Sequence, residues 1–223
     1  MRFKDVFSII GPVMVGPSSS HTAGAVRLGR VARALIEQQP KEAVITLYGS
    51  FAATGQGHGT DAALVGGLLG YNTYDERLPD ALEYAEAAGI GVAIRTGQAP
   101  NAHPNTVRFA LSTEAGEVVT VTGCSIGGGT IKMTEVNGFS VNFSASSPTI
   151  VIQHADVKGM VASISRTLEK DGLNISRMSV DRKGRNGDAL SVMETDEPPS
   201  GETLQELHRM ATVRSVRLVH VVD

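Results

Sequence analysis

The chain has 223 residues, 41% hydrophobic and 19% charged, with a formal net charge of -3 and a pI near 6.1. That length accommodates two ordinary domains, and the composition is that of a folded globular protein without a large disordered region. Mild acidity without a basic stripe argues against nucleic-acid binding, no apolar run approaches the roughly 20 residues of a membrane span, and the single cysteine, Cys124, excludes an internal disulfide and a metal cluster held by this chain's thiolates alone. The charged N-terminus, Met1 to Phe7, is not followed by the apolar core and cleavage site of a secretory signal, so a cytoplasmic location is expected.

In chain order, Gly16-Pro17-Ser18-Ser19-Ser20-His21-Thr22 comes first, ahead of a helix predicted over 22–38. Leu28, Val31, Ala32 and Leu35 recur at i, i+3, i+4 and i+7, and Ser20 or Thr22 is a candidate cap. The serines and His21 then lie at the positive end of a helix dipole, where a carboxylate or phosphate is favoured. A strand over 44–48 follows. Then comes Gly57-His58-Gly59-Thr60-Asp61, with Thr60 as cap and Asp61 in the first turn of a helix to Leu69. Gly66 and Gly67 inside that helix imply close packing against another backbone.

A third helix over 79–88 ends at Gly89. Strands are expected over 91–95, 107–112 and 118–122, with His103-Pro104-Asn105-Thr106 before the second. Gly127-Gly128-Gly129 leads into a strand, which argues against a dinucleotide or phosphate loop and for a bulge or close backbone contact. Strands over 130–136 and 139–143 flank Asn137-Gly138, a strong hairpin signal. The fold class is therefore α+β, with a mixed sheet in the first region.

A break is expected at Ser144 to Pro148, dividing the chain into domains 1–145 and 149–223. Beyond it the pattern reads strand 149–153, helix 159–170, strands 175–180 and 189–194 around a Gly/Asn/Lys-rich turn, helix 203–210 and strand 213–222. That is βαββαβ, the ferredoxin-like arrangement.

His21 and His58 are the candidate catalytic groups, since an imidazole titrates near operating pH. Ser18, Ser19, Ser20, Thr22, His103, Asn105 and Thr106 are candidate substrate contacts. Each has a plain structural alternative: serines cap helices, His58 can bond a turn carbonyl, and Cys124 is most simply a packed residue. Which histidine is the base stays open at this point.

The βαββαβ unit, with His154-Ala155-Asp156-Val157-Lys158-Gly159-Met160 after its first strand and Asp171-Gly172-Leu173-Asn174-Ile175 before its second, resembles an ACT domain. The resemblance implies amino-acid binding at the first strand-helix loop, with His154, Asp156 and Gly159 as effector contacts, and self-association through that domain. The first half, through Gly11 to Thr22 and Gly57 to Asp61, looks like the β subunit of the two-chain iron-sulfur L-serine dehydratase, a fold also found as an allosteric substrate-binding domain. That resemblance implies an L-serine ammonia-lyase, in which L-serine becomes pyruvate and ammonia with the help of a 4Fe-4S cluster. The cluster is expected on an α-subunit partner, with no metal held by this chain. The alternative it leaves open is a non-catalytic, amino-acid-sensing regulatory subunit.

Overall fold

The structure, a computed structural model, describes residues 12–221. Gly11 of the first motif, the Met1 to Phe7 segment and Val222 of the last expected strand lie outside the described residues. The chain forms two compact units that divide between Asn137 and Gly138.

In the first unit a single π-turn, Ser19–Ala23, runs into helix α1, Gly24–Ile36. Strand β1, Glu42–Leu47, leads to a short helix α2, Gly49–Thr54, then to a 3-10 turn, Gln56–His58, and helix α3, Thr60–Leu68. After helix α4, Ala81–Ala87, come β2, Gly91–Thr96, β3, Thr106–Ser112, β4, Val118–Gly127, and β5, Thr130–Val136. The sheet order β2-β1-β3-β4-β5 is mixed: β1 is parallel to β2 and antiparallel to β3, and β3, β4 and β5 alternate. The pairing of β4 with β5 shifts register between Ser125 and Gly127, which is the bulge expected at the glycine run.

Helix α1 packs on β4 and on α3. Its apolar stripe is fully buried at Leu28, Val31 and Ala32, together with Ile45, Phe109, Leu111, Val121 and Met133 from the strands. Gly29 and Gly67 set the approach of α1 to α3. A Cβ on Gly67 would run into Val26 O and lie 2.8 Å from Gly29 Cα, and one on Gly29 would run into Leu64 O. The helix glycines are therefore needed by a backbone-to-backbone contact. Gly66 instead faces the Leu78 side chain.

The second unit begins with β6, Phe139–Phe143, which follows a two-residue turn in which Asn137 and Gly138 both have positive φ. Then come β7, Thr149–Ala155, helix α5, Met160–Lys170, β8, Ile175–Arg182, β9, Asp188–Thr195, helix α6, Gly201–His208, and β10, Val213–Val219. The antiparallel sheet has the order β10-β7-β9-β8. Ile150, Ile152, Met193 and Val216 from the strands meet Met160, Ile164, Leu168 and Leu207 from the helices in one core. The ferredoxin-like pattern is thus realised, and β6 packs against β8 and β9.

Three local expectations change. Ser18, not Ser20 or Thr22, caps the first helical segment, by accepting the His21 N–H at 3.2 Å. Gly59 at φ 63, not Thr60, is the N-cap of α3, because the chain enters the helix directly from the 3-10 turn and must reverse there. Helix α2 was not foreseen at all.

Replacing Gly67 by alanine is expected to lower the thermal midpoint: overpacking costs about 1–3 kcal/mol, against a propensity gain of about 1 kcal/mol. Gly201, where an added Cβ meets nothing within 4 Å, is expected to accept alanine with no loss in the same melting measurement.

Candidate functional site

Ser18 is extended, and its hydroxyl holds the first turn in place through the His21 N–H. The π-turn that follows turns the His21 ring toward α2. There its Nε2 lies 3.2 Å from both the Ser50 and the Thr54 hydroxyls, while Nδ1 lies 3.1 Å from the Ser20 hydroxyl. Ser50 and Thr54 are also 3.3 Å from each other. Hydroxyls can donate or accept, so this collar accommodates either tautomer. The buried Phe51 ring meets His21 edge-on, with centroids 5.2 Å apart.

His58 ends the 3-10 turn four residues beyond Thr54, and its Nδ1 is 2.9 Å from the Thr54 carbonyl. A carbonyl only accepts, so Nδ1 carries the hydrogen and Nε2 of the neutral ring keeps its lone pair. Nε2 has no protein partner among the described residues. The His58 ring lies 4.9 Å from that of His21, centroid to centroid, tilted by 38°. His58 lines a cleft of about 390 Å³ that is also lined by Thr22, Gly57, Gly59 and Asp61 and by the apolar Leu78 and Leu82. Thr22 reaches the same turn from the other side, donating to the His58 carbonyl at 3.4 Å.

Electrostatics separates the two rings. Partial burial pushes the His21 pKa below its ordinary 6.5, and the charge of a protonated His58 lowers it further, with the Ser50 bond opposing. His21 is therefore biased toward its neutral form.

The third motif reaches this site through its backbone. Pro104 O accepts the Ser50 N–H at 2.6 Å and the Phe51 N–H at 3.3 Å, so the loop fixes the start of the helix that carries Ser50 and Thr54. Gly49, at φ 54, is required there: a Cβ would lie 2.6 Å from Pro104 O. The side chains of the motif are engaged locally. His103 Nδ1 accepts the Asn105 N–H, Thr106 donates to His103 O, and the Asn105 amide donates to Ser125 O. The structure thus brings His21, His58 and Thr22 together, places Ser18 and Ser20 on His21, and leaves His103 exposed on a supporting loop.

Ser50 and Thr54 are the residues missed by sequence reasoning. Their i, i+4 spacing, just before Gly-Gln-Gly-His, was the available signal, since that spacing puts two hydroxyls on one helix face.

In the second unit His154 lies near the end of β7, and Asp156 and Gly159 lie between it and α5. His154 is only 2% exposed. Its Nδ1 donates to Ala155 O and its Nε2 meets the Ser191 hydroxyl, both at 2.8 Å. Asp156 accepts from Arg182 and from the Asn186 N–H. Gly159, at φ 84 with open space around it, begins α5. Cys124 is 4% exposed, and burial pushes its thiol pKa up. Among the described residues no group of three or more His, Cys, Asp or Glu is placed to hold a metal ion.

Family models match this chain over residues 3–89, as serine dehydratase beta chain, and over residues 148–212, as ACT domain. A probable L-serine dehydratase, beta chain, of Bacillus subtilis (strain 168) is 45% identical over 216 residues, covering 97% of this chain and 98% of that one. The L-serine dehydratase, beta chain, of Peptoniphilus asaccharolyticus is 37% identical over 199 residues, covering 89% and 90%. A D-3-phosphoglycerate dehydrogenase of Bacillus subtilis (strain 168) is 25% identical over 135 residues, covering 60% of this chain and 26% of the enzyme. With relatives matched along nearly their whole length, and with the collar of hydroxyls and paired imidazoles built from its first half, the chain belongs to the family of L-serine dehydratase beta chains and carries an ACT domain in its second half.

Proposed function

We propose that this chain is the β subunit of a cytoplasmic L-serine ammonia-lyase and completes an active site with an iron-sulfur α subunit, the pair converting L-serine to pyruvate and ammonia. The observation that carries the proposal is the open Nε2 of His58. Its tautomer is set by the Thr54 carbonyl, and its ring belongs to a residue that lines a cleft large enough for an amino acid. Dehydration of serine starts with removal of the Cα proton, and a neutral imidazole with a free lone pair is suited to take it.

His21 has a different part in this reading. Both of its nitrogens meet hydroxyls, so it positions His58 by ring contact and resists a second positive charge beside it. Thr22 is the member of the first motif that lines the cleft, and Ser18 and Ser20 act through His21. Ser19, His103 and Asn105 complete the substrate-side surface in the assembled enzyme, with Thr106 buried beneath it and bonded to His103 O. Cys124 does not fit as a cluster ligand, being buried with its thiol held neutral. The 4Fe-4S cluster is therefore assigned to the α subunit, where it would supply the Lewis acid for the departing hydroxyl. No step assigned to this chain passes through it.

Residues 1–145 then form the substrate-facing domain and 149–223 the ACT domain, with β8 as an outer strand whose exposed Met178 and Val180 favour self-association. His154 and Asp156 shape the effector loop through their internal bonds, with Gly159 open beside it. The ACT match also supports a second reading, a regulatory subunit that senses an amino acid without catalysing.

In the αβ complex, His58→Ala is expected to lower kcat about a hundredfold or more at saturating serine, the scale of a lost general base. A shifted serine dependence with an unchanged maximum would instead select the regulatory reading. By NMR titration of the isolated chain, His21 is expected to titrate below 6.5, and its midpoint to rise in His58→Ala. Because the fold favours the neutral ring, the stability contributed by His21 is complete above about pH 6.5 and is lost as pH falls through its lower folded value. Melts of the wild type and His21→Asn across that range are expected to converge toward acid.

A further inference from the structure

Among the described residues lining the His58 cleft, Asp61 is the one acidic side chain, and none is a lysine or arginine. Asp61 Oδ1 accepts the Ala62 N–H at 2.9 Å, in the first turn of α3. Oδ2 has no protein partner among the described residues. The carboxylate stands half-buried beside an apolar wall formed by Ala62, Ala63, Leu78 and Leu82. Such a wall excludes water and strengthens the attraction for an opposite charge.

We infer that Asp61 receives the α-ammonium group of the substrate, which makes it the residue that selects an amino acid over the corresponding hydroxy acid. The inference rests on the reading of this cleft as the place where serine is deprotonated. The ammonium is attached to the same carbon whose proton His58 must reach, and Asp61 follows His58 by three residues across Gly59, whose left-handed turn joins the 3-10 segment to α3. The substrate carboxylate is repelled by Asp61 and is directed away from it, toward the partner subunit. Gly57 and Gly59, which have open space where a Cβ would be, leave room for the backbone of the cleft to approach a compact ligand.

The test uses the αβ complex with Asp61→Asn, which keeps an oxygen for the Ala62 N–H and removes the charge. Loss of a charge-assisted bond is expected to raise the KM for L-serine by about tenfold or more, with a smaller change in kcat. Inhibition by D-serine is expected to weaken to a similar degree, whereas inhibition by 3-hydroxypropionate, which has no amino group, is expected to hold. An unchanged KM, or equal weakening of both inhibitors, would overturn the assignment. Should the variant fail to assemble, the wild-type complex decides: D-serine is expected to inhibit more tightly than D-glycerate, and equal inhibition overturns the assignment. A wild-type complex that does not consume serine would overturn the reading of the site together with this inference, whereas normal serine turnover with an indifferent Asp61→Asn would overturn the inference alone.

Discussion

The hydrogen bond from His58 Nδ1 to the Thr54 carbonyl, 2.9 Å long, determines what the first half of this chain can do. It selects one tautomer of an imidazole that would otherwise be free to exchange, and leaves the basic nitrogen in the cleft. Its acceptor is the last residue of α2, so the bond depends on that short helix being where it is. A six-residue helix has little intrinsic stability in water. Here it is held at its start by Pro104 O, from a loop remote in sequence, and along its side by Ser50, Phe51 and Thr54 against the His21 ring. The three histidine-bearing stretches therefore work as one assembly: one supplies the free nitrogen, one braces it, and one fixes the helix between them.

The geometry also distributes chemistry between the two imidazoles. His21 is surrounded by hydroxyls, and partial burial and the neighbouring His58 disfavour its protonation. Asp61, on the far side of Gly59, adds a carboxylate to the cleft. The proposed base and the proposed ammonium site thus sit on the last turn before α3 and on its first turn.

Much of this was legible in the sequence, for identifiable reasons. The 3.6-residue stripe from Leu28 to Leu35 fixed α1, the Asn137-Gly138 pair marked its turn, and the order of elements after Pro148 was that of a ferredoxin-like unit. The histidine stretches stood out because glycine and serine around an imidazole have little to contribute to a core. The roles within them were less legible. Helix α2 is too short to show a period, so Ser50 and Thr54 looked like connection, and their link to His21 spans about thirty residues of sequence. Gly59 took the cap from Thr60 because only the preceding 3-10 turn makes a left-handed residue necessary there. His154 read as an effector contact because it sits where the ACT strand ends; it lies on the same face of β7 as Ile150 and Ile152, and its ring meets the Ser191 hydroxyl, diagonal to it on β9. Strand alternation tells which residues share a face, not which face is covered.

The central claim is that this chain completes an active site and does not merely report on one. The most direct measurement is anaerobic conversion of serine to pyruvate, with iron content, for this chain alone, for its α partner alone, and for the two co-purified. Iron in the α partner, with turnover only when both chains are present, is the predicted result. An α partner fully active without this chain would contradict the account and leave the cleft of His58 and Asp61 as a regulatory site.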